Sequence, residues 1–172
     1  ARNGHEGPVV TISRRGLRSR GHAAAPQEPF GDFIADRASS AVALLRRIRL
    51  TIRQAAEQGL SWHAVIDQVR SQGHDLWRAL PVAERRRIVR HLRPYWDVHR
   101  FRIAPQVEAV LDSAIEAGRL EVLAASVADA KVEGETIRVT LQPRHARERL
   151  ERTFDAVVVT TGPAHGGILQ TQ

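Results

Sequence analysis

Three short stretches of this chain carry residue types that can do chemistry. The first is Ser13-Arg14-Arg15-Gly16, which closes the β-branched run Val9-Val10-Thr11-Ile12. Guanidinium groups offer paired donors to phosphate oxygens. At a strand end beside an adenosine ribose, arginines accommodate a 2′-phosphate, whereas an acid would accept from the 2′-hydroxyl. The same pair also suits a solvated surface. The second stretch is Asp97-Val98-His99-Arg100-Phe101-Arg102. Read as extended chain, it puts Asp97 and His99 on one face and Arg100 and Arg102 on the other. His99 beside an acid can carry a proton, and Arg100 with Arg102 can clamp an anionic substrate. The competing reading is structural, with Asp97 and the arginines tying helices to a sheet through buried ion pairs. The third stretch is Thr161-Gly162-Pro163, which ends the run Asp155-Ala156-Val157-Val158-Val159-Thr160. Glycine at a strand end permits close backbone approach; the plainer reading is a core strand ending in a turn.

A fourth feature is basic. Arg85-Arg86-Arg87 is followed by Arg90, His91 and Arg93, and on a helix residues 86, 90 and 93 share a face. Such a face suits phosphate contacts, which makes a basic helical nucleic-acid-binding module the alternative function. The charge distribution argues against it. The formal net charge of +7 is uneven, with fourteen basic and six acidic residues over 34–105 but seven and ten over 106–172. A nucleic-acid coat would not stop at residue 105, and no helix-turn-helix spacing or zinc ligand set accompanies the cluster. Of 26 basic residues only Lys131 is a lysine, a bias that points to a GC-rich coding genome. The eight histidines contain no i, i+4 pair, so no metal site is expected. Cysteine is absent, which excludes disulfides, thiol catalysis and cysteine-ligated zinc. No run of 18 apolar residues and no basic segment followed by an apolar stretch is visible. A cytoplasmic protein without membrane contact is the expectation.

Elements must position these residues. With 172 residues, 42% of them hydrophobic, the chain can bury a core. Pro8 to Ile12 reads as a short buried strand, followed by a Gly- and Pro-rich loop over 16–31. Ala41, Leu45, Ile48, Ile52 and Ala55 recur at helical spacing, with Gly59 as the stop. Ser61 can cap a second helix whose inner face is Trp62, Val65, Ile66 and Val69, ended by Gly73. Pro81 suits the first turn of a third helix, about 81–93, that buries Val82, Ile88, Val89 and Leu92, and Pro94 stops it. Pro105 opens another, with Val107, Val110, Leu111 and Ile115 as its stripe. From Leu120 the pattern changes to strands. Ile137, Val139 and Leu141 alternate with polar residues after the Glu133-Gly134-Glu135 turn, and residues 143–152 suit a hairpin tip or edge strand. The valine run 157–159 predicts a strand buried on both faces, as in a parallel sheet. Together these elements predict a mixed α/β fold.

One run is more distinctive than any of these motifs: His91-Leu92-Arg93-Pro94-Tyr95-Trp96-Asp97-Val98-His99-Arg100-Phe101-Arg102-Ile103-Ala104-Pro105. With Ser13-Arg14-Arg15-Gly16-Leu17 ahead of it and Thr161-Gly162-Pro163 behind, it resembles a bacterial family of FAD/NAD(P)-binding proteins, relatives of flavin-dependent monooxygenases. The resemblance covers nearly the whole chain in the same order. It implies an oxidoreductase that passes hydride from NAD(P)H to FAD, with Ser13, Arg14 and Arg15 near the pyridine-nucleotide ribose or 2′-phosphate. Thr161, Gly162 and Pro163 would lie near the flavin nucleotide. It implies a partial nucleotide-binding sheet with a helical insert and a small β-meander: residues 1–33 as second strand and loop, 34–97 as the insert, 98–172 completing the region. His99, Arg100 and Arg102 are the candidates for a small-molecule substrate. Members of the family carry Gly-rich pyrophosphate motifs, and no G-x-G-x-x-G occurs in this sequence. The resemblance therefore implies that FAD and NADP belong to a longer, intact protein, that this chain is an inactive part of it, and that its unpaired sheet edges favour dimerisation.

Overall fold

The computed structural model describes residues 7–160. Helices and a four-stranded sheet make a mixed α/β fold. The chain divides into two compact units, one running through Thr11 and Gly16–Val122, the other combining Ile12–Arg15 with the chain from Leu123 onward. Positions 33 and 97, used above to divide the chain, both fall within the first unit.

The first unit holds the helices: α1 (Ala41–Glu57), α2 (Trp62–Ser71), α3 (Gly73–Ala79), α4 (Val82–Arg87), a π-helical turn (Ile88–Leu92), α5 (Arg93–Arg100) and α6 (Pro105–Glu116). Ser40 starts α1, its hydroxyl accepting the Ala43 N–H at 3.2 Å. The core is Phe33, Ala55, Val65, Val69 and Leu76, with Leu44, Ile48 and Ile52 of α1 packed against it. Phe33 arrives from the loop, not from a helix. Gly31 makes that possible: its φ is 103°, and a Cβ there would lie 2.7 Å from Thr51 Cγ2. Asp32 Oδ1 then accepts the Ile34 N–H at 2.9 Å and the Ala35 N–H at 3.2 Å. These bonds, the one to Ile34 foremost, hold the Asp32 carboxyl below its ordinary pKa. Gln72 Oε1 accepts the Phe33 N–H at 2.8 Å, which ties the loop to the end of α2.

The sheet has the order β1-β2-β3-β4, from β1 (Val9–Ser13), β2 (Leu120–Glu133), β3 (Thr136–Pro143) and β4 (Leu150–Phe154). In the second unit β2, β3 and β4 form an antiparallel meander. Gly134, at φ 64°, lets the chain reverse between β2 and β3. Val139 and Leu141 are buried with Ala125, backed by Leu123, Ile137 and Phe154. Lys131 faces Arg138 across the ladder. That like-charge pair is offset because Lys131 pairs with Asp129 at 3.3 Å and Arg138 with Glu133 at 2.7 Å.

Five expectations require correction. The helix after Pro81 does not bury Val82 and Val89, which are 57% and 47% exposed because that face borders an open groove. The run after Phe154 is not a strand: residues 155–160 have no ladder partner, and Val158 is 82% exposed. An antiparallel meander ending at β4 offers no second layer to cover both faces of such a run. Val9 to Ser13 is a strand but an exposed one, because it is the edge of the sheet. Pro94 does not stop a helix; it follows directly on the π-helical turn Ile88–Leu92, and the helical backbone runs on through α5 to Arg100. Asp97 to Arg100 are therefore helical, and Asp97 pairs with Arg93 one turn back at 3.5 Å, not with His99.

Candidate functional site

After β1 the chain runs beside the end of α5. The Arg20 N–H donates to the Val98 carbonyl at 2.9 Å, the Ile103 N–H to the Arg20 carbonyl at 2.9 Å, and the His22 N–H to the Ile103 carbonyl at 3.0 Å. The loop over 16–31 and the end of the run over 91–105, separated by about eighty residues, are thus joined along their backbones. They frame a cleft of about 260 Å³. Leu17, Val98, Ile115 and Val122 give it apolar walls, and Arg18, Arg20, Tyr95 and His99 give it polar ones.

His99 is oriented for use. Its Nδ1 lies 2.7 Å from the Tyr95 carbonyl, which can only accept, so Nδ1 carries the proton. In the neutral ring Nε2 keeps its lone pair, and its edge contact with Trp62, centroids 4.9 Å apart, fixes the ring further. Arg18 is held by Asp112 and by Glu108, the latter at 3.8 Å, so its charge is balanced within the wall. Arg100 lies over the Phe101 ring at 4.5 Å. Arg102 points to α2, where its two terminal nitrogens donate to the Asp67 carboxylate at 2.9 and 3.0 Å. Of His99, Arg100 and Arg102, the first lines the cleft.

Ser13, Arg14 and Arg15 belong to the second unit. Arg14 is exposed, and its carbonyl accepts from Arg144 Nη1 at 2.9 Å. Arg144 thus meets Arg14 at its backbone, not at its guanidinium. Arg144 lies 130 residues from Arg14, in the loop after β3, and nothing in its own surroundings marked it. Thr161, Gly162 and Pro163 lie outside the described residues.

A second histidine supports the cleft from behind. His63 Nε2 donates to the Gly21 carbonyl at 3.0 Å, Nδ1 lies 2.8 Å from Ser61 Oγ, and the ring stacks on Trp62 at 3.7 Å. Ser61 precedes α2, but its hydroxyl does not cap the helix; it lies 2.8 Å from Gln27 Oε1. Burial lowers the His63 pKa below the ordinary 6.5, outweighing the Gly21 carbonyl, which favours the cation. The unfolded chain then takes up the proton at a higher pH than the folded chain does. Stability contributed by His63 is full above about pH 6.5 and falls as the pH drops below it toward the folded-state value. Urea midpoints followed by tryptophan fluorescence should decline between pH 7 and 5 more in the wild type than in His63→Gln. Parallel declines would remove His63 as the cause.

No protein-family model, no curated protein and no solved structure matches this chain. Among the described residues no cluster of His, Asp or Glu could hold a metal ion, and no helix is long and apolar enough to cross a membrane. A pyrophosphate needs free backbone N–H groups at a helix N-terminus. That of α1, the longest helix, is already taken, since the Ala41 N–H donates to Glu84 Oε2 at 2.8 Å and Ser40 caps Ala43. No described strand leads through a Gly-rich turn into a helix. The N-terminus of α1 therefore offers no cradle for a flavin pyrophosphate.

Proposed function

We propose that this chain forms part of an FAD/NAD(P)-dependent oxidoreductase acting on a small molecule in the cytoplasm, in which NAD(P)H reduces FAD. The observation that carries the reading is the pairing of residues 20–22 with residues 98–103 around a cleft. The most idiosyncratic run of the sequence is used as one wall of this cleft, with His99 among its lining residues. In this reading His99 exchanges a proton with the substrate, and the apolar wall excludes water. Arg14 and Arg15 hold the 2′-phosphate of NADPH. Thr161, Gly162 and Pro163 approach the flavin nucleotide, whose pyrophosphate is cradled by residues other than those described.

Calorimetric titration of the chain with NADPH, NADH and 2′,5′-ADP tests this. Two charge-assisted contacts should make the 2′-phosphorylated ligands bind about fivefold to tenfold more tightly than NADH. The double replacement Arg14→Ala/Arg15→Ala should erase that preference. Equal binding of NADPH and NADH, or a preference that survives Arg14→Ala/Arg15→Ala, would overturn the assignment.

A further inference from the structure

A second surface of the helical unit is not used by this reading. Trp77 of α3, Val82, Arg85 and Arg86 of α4, and Val89 and Arg90 of the π-helical turn line an open groove of about 420 Å³. No carboxylate lines it. The one acid on α4, Glu84, is engaged elsewhere: it accepts from the Ala41 N–H at 2.8 Å and pairs with Arg87 at 3.0 Å. Arg93 likewise pairs with Asp97. Arg85 is fixed by donating to the Leu80 carbonyl at 2.8 Å and the Arg78 carbonyl at 3.1 Å, which sets its guanidinium 6.0 Å from the Trp77 ring centre. Arg87 and Arg93 are thus matched by acids, whereas Arg86 and Arg90 have no partner among the described residues.

The floor is apolar. Trp77, Val82 and Val89 are 40%, 57% and 47% exposed, and side chains of this kind gathered in one groove mark an interaction surface. Val82 and Val89 are one heptad apart, and the widened turn at Ile88–Leu92, a feature often found at functional sites, brings Val89 and Arg90 into the same wall. We propose that this groove docks an acidic amphipathic helix of a protein partner. Its apolar stripe would cover Val82, Val89 and Trp77, and carboxylates flanking the stripe would meet Arg86 and Arg90. A nucleic-acid strand fits less well. It has nothing to cover two valines, and the aromatic face on which a base would stack already carries Arg85.

The test uses the full chain and a fluorescein-labelled synthetic helix with leucines on one face and glutamates flanking them. Its controls are a scrambled isomer of the same composition and an oligothymidylate. The amphipathic helix should bind at least about tenfold more tightly than its isomer, and Arg86→Glu/Arg90→Glu should weaken it by about tenfold or more. Trp77→Ala should weaken it as well, since an aromatic anchor carries much of the affinity of such grooves. An unchanged circular dichroism spectrum checks that Arg86→Glu/Arg90→Glu still folds. Equal binding of the isomer would reduce the groove to a charge effect and overturn the proposal. Preferential binding of the oligothymidylate would replace it with a nucleic-acid site. Failure to bind any of the three probes would refute it.

Discussion

Replacing Phe33 with alanine should destabilise the helical unit by about 3–5 kcal/mol, the range for emptying a fully buried phenylalanine site. Phe33 is 0% exposed and touches the core contributed by α1, α2 and α3. The site cannot collapse easily. Gly31 already lies in close contact with Thr51, and the Phe33 backbone is bound to Gln72, so the loop has little freedom to follow the missing ring. Against a total of about 5–15 kcal/mol for a typical domain, this loss moves a large share of the molecules out of the native state at physiological temperature. The two units allow the effect to be localised. Trp62, Trp77 and Trp96 all belong to the helical unit, so tryptophan fluorescence reports that unit alone, whereas far-ultraviolet circular dichroism also follows the meander. In urea, the fluorescence midpoint of Phe33→Ala should drop well below that of the wild type. A midpoint within about 0.5 kcal/mol of wild-type stability, the scatter of surface substitutions, would place Phe33 outside the core.

The elements that sequence reasoning found are those whose pattern repeats. α1, α2 and α6 each carry several apolar residues at helical spacing, and β3 carries three in strict alternation, so one face is specified many times over. The errors fall where one residue type serves two ends. Proline stops a helix or lies within one, and only the backbone at Pro94 decides; once the helical backbone runs on through it, the inferred facing of Asp97 and His99 is lost. A valine run likewise signals a buried strand only if a second layer exists, and for Val157–Val159 the described sheet supplies none.

The candidate site was legible in pieces but not in its assembly. His99 was identifiable because a histidine in a run dense with charge and aromatics invites a chemical reading. That residues 20–22 pair with it depends on backbone hydrogen bonds that any sequence could make. Arg18, Arg20 and Tyr95 entered the cleft through that pairing. Arg144 reached Arg14 through sheet register, and Trp77 joined Arg86 and Arg90 through the packing of α3 beside α4. Long-range placement of this kind leaves no local period.

Arg102→Ala should cost about 2–4 kcal/mol, and the reason is geometric. The Arg102 side chain is only 8% exposed, and three of its nitrogens are engaged: the two terminal ones on Asp67, and Nε on the His99 carbonyl at 2.8 Å. Its guanidinium lies 5.2 Å from the centre of the Trp62 ring. Alanine would leave the His99 carbonyl without its donor and Asp67 without its partner. Asp67 is 35% exposed, so water compensates it in part, which keeps the cost below that of a fully enclosed pair. Asp67→Asn should be the milder change, because the amide oxygen still accepts from the guanidinium. Arg102→Lys should recover little, since an ammonium cannot span both carboxylate oxygens and the carbonyl. Urea denaturation of Arg102→Ala, Asp67→Ala and the double variant forms a cycle. A coupling of about 1 kcal/mol or more is expected, given a bidentate contact with one side buried. A coupling near zero would mean that the residue acts only by packing against Trp62. The same variant bears on the cleft. Arg102 links α2 to the turn that leads from His99 to the residues paired with 20–22, so its loss should loosen His99 while leaving Arg14 and Arg15 untouched. Under the function proposed above, the expected preference for NADPH over NADH should therefore survive Arg102→Ala.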